Sequence, residues 1–143
     1  KAFKWTGAVV PWVTFTAPEV ARVGLSEREA EAQGLAVTVT RVGYDDNDRA
    51  IAEGETAGFI QVLTPPGKDR ILGVTIVGAR AGELLAPWVL AMTHGLGLKK
   101  IMGTIHAYPT YAELNKAVAS AWRKAHAPET ALDLLRHWHG LWR

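Results

Sequence analysis

The chain has 143 residues, which is enough for one domain with a hydrophobic core of its own. Its 16 Lys and Arg residues are nearly balanced by 14 Asp and Glu, and a net charge of +2 does not predict nucleic-acid binding. The absence of cysteine excludes disulfide bonds, thiolate metal sites and cysteine redox chemistry within this chain.

The first third of the chain predicts short strands around one helix. Ser26 and Glu29 have the spacing of a capping box, which predicts a helix over 27–33 that Gly34 ends. β-branched and aromatic content or alternating polarity predicts extended segments over 9–16, 20–25 and 35–44. Residues 45–48 form an acidic run without the loop Gly and distal Glu of a calcium site, so a polar turn is expected there.

The remainder predicts a β-hairpin followed by helices. Two apolar segments, 58–64 and 70–77, flank a Pro-Pro-Gly loop typical of a hairpin. A helix is expected over 79–94, with Pro87 kinking it or lying in its first turn, and Gly95 ends it. Further helices are expected over 110–126 and 128–142. The predicted fold class is α+β, an antiparallel sheet with helices packed on one side in a two-layer sandwich.

The last predicted helix has an apolar stripe that includes Leu134, Leu135 and Trp138. Such a stripe favours packing on its own domain or on a partner subunit over the surface of a membrane. His137 and His139 lie on different sides of this helix, so no metal site is predicted. No apolar run is long enough to span a bilayer, and the first residues do not resemble a signal peptide. A cytoplasmic location is expected.

The segment Tyr108-Pro109-Thr110-x-x-Glu113 resembles a signature near the C-terminus of the FAD-dependent pyridine nucleotide-disulfide oxidoreductases, where the pattern is His-Pro-Thr-x-x-Glu. Other segments resemble the dimerisation domain of the same family in the same order. They are 15–25, 48–50, 58–59 and 71–78, so the resemblance covers about residues 9–125.

The resemblance implies that residues 1–126 form a homodimerisation domain and that 127–143 form a C-terminal amphipathic helix of the same domain. It implies FAD and NAD(P) in the intact enzyme, bound by upstream domains of the same polypeptide. No Gly-x-Gly-x-x-Gly motif occurs here, so no cofactor is expected on this chain, and alone it should be inactive. The alternative is a free-standing α+β protein-interaction module without catalysis.

In the family, the His-Glu pair serves the redox disulfide of the partner subunit, so Tyr108, Glu113 and His106 are the candidate catalytic residues. A phenol with a pKa near 10 stays protonated at pH 7, which favours Tyr108 as a hydrogen-bond donor or positioning group. Glu113 either orients its neighbour or caps a helix, and His106 is either a supporting polar residue or a substitute base. The resemblance also implies a cis Tyr108–Pro109 bond, and it places Pro18 and Glu19 near the flavin side of the interface.

Overall fold

Five antiparallel strands form the sheet at the centre of the structure, a computed structural model that describes residues 9–127. The strands lie in the order β1-β2-β5-β4-β3. Their bounds are β1 Trp12–Thr14, β2 Glu19–Gly24, β3 Thr38–Gly43, β4 Phe59–Thr64 and β5 Gly73–Gly78. The helices are α1 Glu27–Ala32, α2 Asp48–Glu53, α3 Ala81–Leu84, α4 Ala86–Thr93, α5 Leu98–Gly103 and α6 Glu113–Ala125.

The hydrophobic core lies between one face of the sheet and the helices that follow it. Because side chains alternate along a strand, every second residue of the three central strands points to this face. The residues concerned are aligned by the strand register and nearly free of solvent: Ala21, Val23, Ile60, Val62, Val74 and Ile76. They form one core with Trp88, Leu98, Leu114 and Val118 of the helices. The predicted α+β class is confirmed.

Helix α1 contacts the opposite face of the sheet. Its Glu29 accepts a hydrogen bond from Arg22 at 2.9 Å, and its Glu27 accepts one from Gln61 at 2.6 Å. Arg22 and Gln61 alternate with core residues and therefore point away from the core. The predicted capping box is confirmed, since Glu29 N–H donates to Ser26 Oγ at 3.2 Å while Ser26 N–H donates to Glu29 Oε2 at 2.8 Å.

Some predicted element bounds are wrong. The first strand is limited to three residues, and the hairpin strand predicted over 70–77 begins at Gly73, because Arg70 forms a bridge with Gly97 instead. The helix predicted over 79–94 is divided into α3 and α4, with Pro87 in the first turn of α4. The helix predicted over 110–126 begins at Glu113.

Two short helices were not predicted. Residues 45–48, expected to be a turn, lead directly into α2, whose N-cap is Asn47. Helix α5 follows Gly97 in a segment for which no helix was expected. The helix predicted over 128–142 and the first eight residues lie outside the described residues.

Candidate functional site around Tyr108

Tyr108 lies in the segment that joins α5 to α6, and its side chain is held although it is exposed. The residue is 70% exposed, and its phenol donates a hydrogen bond to Asp48 Oδ2 at 2.8 Å. The Tyr108–Pro109 peptide bond is cis, which confirms that prediction. The candidate catalytic tyrosine is therefore bonded to a residue 60 positions earlier in the chain.

Asp48 is the first residue of α2, and the residue before it fastens this helix start to the Tyr108 segment. The side-chain oxygen of Asn47, Oδ1, caps α2 by accepting from Ala50 N–H at 3.0 Å. Its amide nitrogen donates to the backbone oxygen of Thr110 at 3.1 Å. Asn47 is only 6% exposed, so both bonds are sheltered from water. Two side chains of the α2 start thus hold the segment on both sides of Pro109.

Glu113 supports the start of α6 through half of the predicted capping box. Its Oε2 accepts a hydrogen bond from Thr110 N–H at 3.3 Å. The reciprocal bond is missing: Glu113 N–H donates to the backbone oxygen of Thr110 at 3.4 Å, and the Thr110 hydroxyl donates to Ala107 O at 2.6 Å. Glu113 therefore has a structural contact in this chain, while its carboxylate lines the same cavity as Tyr108.

The charges around Tyr108 keep its phenol protonated. The hydrogen bond to Asp48 and the negative charge of that carboxylate raise the pKa of Tyr108 above its ordinary value, and the charge of Glu113 acts in the same direction. A phenol in these surroundings is a weaker acid than a free tyrosine. It does not supply a base at neutral pH.

Tyr108 and Glu113 border an open cavity of about 640 Å³ between the α2 start and α6. Its polar lining includes three carboxylates, one ammonium group and two hydroxyls, which belong to Asp46, Asp48, Glu113, Lys116, Tyr108 and Ser120. Such a lining offers hydrogen bonds of both kinds and an excess of negative charge. Tyr108 and Glu113, both candidates from the sequence, line this cavity together with Asp48, which the sequence did not indicate as a site residue.

His106 is not brought into the cavity that Tyr108 lines. Its Nδ1 lies 3.0 Å from Thr104 O, and the residue is half-buried. Within residues 9–127, no hydrogen bond joins His106 to Tyr108 or to Glu113. This arrangement is compatible with the supporting polar role among the two roles considered from the sequence.

Pro18 immediately precedes β2, and Glu19 is the first residue of that strand. Glu19 Oε2 accepts a hydrogen bond from Gly82 N–H at 3.1 Å in the first turn of α3. The carbonyl oxygen of Pro18 accepts from the Thr16 hydroxyl at 2.7 Å, and the Ala17–Pro18 bond is cis. In this chain both residues therefore join the β1–β2 connection to its surroundings.

A second set of contacts, not foreseen from the sequence, fixes the segment after Pro109. The Tyr111 hydroxyl donates to Glu53 Oε2 at 2.8 Å, at the other end of α2. Arg49 Nε donates to Glu53 Oε1 at 2.6 Å, and Arg80 lies over the Tyr111 ring. The Tyr111 hydroxyl, followed by Arg49, lowers the pKa of Glu53. No local pattern reveals a contact between residues 58 positions apart.

The described residues do not fit a dinucleotide. Every strand pairing in the sheet is antiparallel, whereas the dinucleotide-binding unit needs parallel strands joined through a helix. Within residues 9–127, no three His, Asp or Glu side chains are grouped to hold a metal ion. Over the same residues, none of the helices has the length and apolar character needed to cross a lipid bilayer.

Comparison with known proteins identifies the family to which this fold and the Tyr108 segment belong. The family described as "Pyridine nucleotide-disulphide oxidoreductase, dimerisation domain" matches residues 10–119. The chain therefore belongs to this family, as its dimerisation domain. The resemblance read from the Tyr108 signature and the other four segments is confirmed.

Curated relatives support the same assignment. The chain is 43% identical to the dihydrolipoyl dehydrogenase of Trypanosoma brucei brucei over 113 residues, which cover 79% of this chain and 24% of that protein. It is 40% identical to the dihydrolipoamide dehydrogenase of Chaetomium thermophilum, over 78% of this chain and 22% of that protein. The chain thus spans about a quarter of the length of these relatives.

Solved structures share the fold. LpdA of Mycobacterium tuberculosis superposes with a TM-score of 0.77 at 22% identity, over 84% of this chain and 26% of that one. The HOCl-induced flavoprotein disulfide reductase RclA of Escherichia coli superposes with a TM-score of 0.73 at 23% identity, over 78% of this chain and 26% of that one.

Proposed function

We propose that this chain is the homodimerisation domain of an FAD- and NAD(P)-dependent, disulfide-reductase-like oxidoreductase of the cytoplasm. In this proposal Tyr108 and Glu113 line the active site of the partner subunit, and His106 supports the segment that carries them. The chain alone is inactive. The domains that bind FAD and NAD(P) belong to the same polypeptide and precede this one.

The observation that carries the proposal is the state of Tyr108. Its ring is mostly exposed, yet its hydroxyl is bonded to Asp48 and the following residues are anchored to α2. An exposed side chain usually samples several rotamers, and holding one costs conformational entropy. A tyrosine fixed at the surface, rather than packed in its own core, is suited to contact another chain.

Exposed apolar residues support the homodimer. Phe15 is 82% exposed, Leu90 is 59% exposed and Trp12 is 46% exposed. All three border one groove between β1 and α4, with a cavity volume of about 630 Å³. A contiguous apolar groove of this kind marks an interaction surface, and a two-fold axis would place the same groove on both subunits. A stable dimer of this type buries roughly 1,200 Å² or more.

About three quarters of each relative lies outside the match, which supports the proposal that the intact polypeptide has further domains. When bound, the flavin and the nicotinamide supply the hydride and electron transfer. Pro18 and Glu19 keep their proposed place near the flavin side of the interface. There the bond from Gly82 N–H would fix the Glu19 carboxylate.

Complementation between subunits of the full-length polypeptide tests this function. One subunit carries Tyr108→Phe, and the other lacks the redox cysteines of its upstream domain. If Tyr108 serves the partner, the mixed dimer has one complete site, made from the cysteines of the first subunit and the tyrosine of the second. Its activity should then exceed that of either homodimer.

Activity of the mixed dimer no higher than that of the Tyr108→Phe homodimer would contradict a role of Tyr108 in the partner's site. Flavin absorbance of the purified 143-residue chain, at one FAD per chain, would contradict the assignment of the cofactor to other domains. Cell fractionation of the intact protein tests its cytoplasmic location.

A further inference from the structure

The direction of the Tyr108–Asp48 hydrogen bond determines what Tyr108 can offer to a ligand. A phenol has a single O–H, and an ionised carboxylate can only accept. At 2.8 Å, the Tyr108 proton is therefore committed to Asp48 Oδ2. The phenol oxygen can therefore only accept a hydrogen bond from a ligand. The sequence alone suggested that Tyr108 donates to a ligand, but its proton is already donated to Asp48.

The charges that face Tyr108 decide which group suits this acceptor. Asp46 and Asp48 face the cavity from the α2 start, whereas Glu113 and Lys116 face it from α6. Three carboxylates against one ammonium group make the cavity unfavourable for an anion. A thiolate placed beside the Tyr108 oxygen would meet both this charge and the oxygen lone pairs. A neutral thiol can instead donate its S–H to that oxygen.

We propose that Asp48 is a positioning residue for Tyr108: by accepting the phenol proton, it leaves Tyr108 to accept a hydrogen bond from the neutral thiol of a dithiol substrate. This inference rests on the proposed function, because it places Tyr108 at the partner subunit's site. In this role Asp48 acts on the substrate through Tyr108. It fixes the orientation of the hydroxyl before the thiol arrives.

The first experiment measures the titration of Tyr108 in the 143-residue chain and needs no activity. The chain is labelled with ¹³C at tyrosine Cζ, the ring carbon that bears the hydroxyl, and its chemical shift is followed by NMR against pH. The Tyr108→Phe variant identifies the signal. Asp48→Ala should lower the titration midpoint of Tyr108, because it removes the acceptor and the nearest negative charge. Asp46→Ala is the matched control, because Asp46 lines the same cavity and does not hydrogen-bond to Tyr108. Its effect should be smaller.

A midpoint that is the same in the parent and in Asp48→Ala would overturn the positioning role. So would equal shifts in Asp48→Ala and Asp46→Ala, because the effect would then be general electrostatics and not a specific bond. Asp48→Asn is a second variant in case Asp48→Ala does not fold. It keeps an oxygen acceptor for the phenol while removing the charge.

The second experiment measures kcat/KM for a reduced dithiol in the full-length polypeptide. Asp48→Ala should lower it about three- to tenfold, as far as Tyr108→Phe does, since both lose one oriented hydrogen bond. Asp48→Asn should restore part of the loss, and Glu31→Ala, an exposed carboxylate outside this cavity, should retain parental values. In the parent, KM for the dithiol should rise as pH passes the thiol pKa of about 8.5, and it should rise less in Tyr108→Phe.

These results separate the two proposals. Loss of activity in Tyr108→Phe but not in Asp48→Ala would overturn the positioning role and leave the proposed function intact. Parental activity in both variants would overturn the shared-site function, and with it the thiol contact. A parental KM that falls with rising pH would show a preference for the thiolate and would overturn the neutral-thiol assignment.

Discussion

Trp88 donates its indole N–H to the side-chain oxygen of Asn115 at 2.7 Å, and both residues are 0% exposed. The amide nitrogen of Asn115 donates in turn to Leu84 O at 3.3 Å. One buried amide therefore joins α3, α4 and α6, which flank the Tyr108 segment and the exposed groove. Buried polar groups that are fully paired help to specify a single packing arrangement.

Asn115→Ala should destabilise the domain by about 2–4 kcal/mol, because it leaves the Trp88 N–H and the Leu84 carbonyl without partners and opens a small cavity. Chemical denaturation of the 143-residue chain measures the change. Lys116→Ala, an exposed neighbour on the same helix, should stay within about 0.5 kcal/mol of the parent. Equal effects of the two substitutions would show that the amide bonds contribute no net stability.

Gly78→Ala should also destabilise the domain, by roughly 2 kcal/mol or more. Gly78 has φ 147, and a Cβ there would lie 2.6 Å from Cζ of the buried Tyr44 ring. Gly103→Ala is the control, since a Cβ at Gly103 meets nothing within 4 Å. Thermal unfolding should show a fall in Tm for the first variant and none for the second. An unchanged Tm in Gly78→Ala would contradict the packing of Tyr44 against Gly78 at the end of β5.

Glu29→Gln should alter how stability depends on pH. The Ser26 backbone N–H and hydroxyl, with Arg22, hold the pKa of Glu29 below its usual range. A pKa lowered by folding contributes stability above the unfolded-state value of about 4.3, and this stability is lost as pH falls through the folded-state value. The parent should therefore have the higher Tm at pH 7, and the difference should narrow below about pH 4.

Glu31→Gln provides the comparison for this pH series, because Glu31 is an exposed carboxylate on the same short helix. Its Tm should follow the parent across the range. If the difference between the parent and Glu29→Gln stays constant from pH 7 to pH 3, the Ser26–Glu29 contacts do not stabilise the ionised carboxylate.

Leu90→Asp should dissociate the proposed dimer, because it places a charge in the apolar groove between β1 and α4. Sedimentation of the chain at several concentrations should show a weakening of self-association by tenfold or more, which corresponds to about 1.4 kcal/mol. Ile51→Asp is the control. Ile51 is 55% exposed on α2, outside this groove. A parent chain that remains monomeric at high concentration would contradict the dimer in this domain alone.

Elements with a local signal were predicted from the sequence. Ser26 and Glu29 are three residues apart, and their reciprocal bonds depend only on that spacing. Helix α2 was missed because the acidic residues before it are typical of a turn. Its N-cap, Asn47, is followed by no acidic residue at the capping-box position. Strand β5 starts late because Arg70 pairs with Gly97, a tertiary contact that alternation cannot reveal.

Only those residues of the candidate site that lie in the segment 108–113 were predicted from the sequence. Tyr108 and Glu113 stand five residues apart in one motif, and both line the same cavity. Asp48, Asn47 and Glu53 reach that segment from about 60 residues away. Their roles depend on how α2 packs beside α6, and single-sequence patterns hold no information on that packing. Thr110 and Glu113 illustrate the reverse case. They have the spacing of a capping box, but the Thr110 hydroxyl donates to Ala107 O and makes no bond with the Glu113 N–H.

The side chain of Asn47 makes two hydrogen bonds, one to the start of α2 and one to the backbone beside Pro109. Its oxygen starts a helix and its nitrogen holds the backbone beside the cis-proline turn, so one amide serves as both acceptor and donor. Asn47→Asp keeps the acceptor and removes the donor, and it therefore releases the turn without unwinding the helix. Hydrogen exchange would then separate the two bonds, with protection retained at the Ala50 amide and lost around Thr110. The NH₂ group of Asn47 is thus one of three side-chain contacts, with those of Asp48 and Glu53, that fasten the loop carrying Tyr108 to α2.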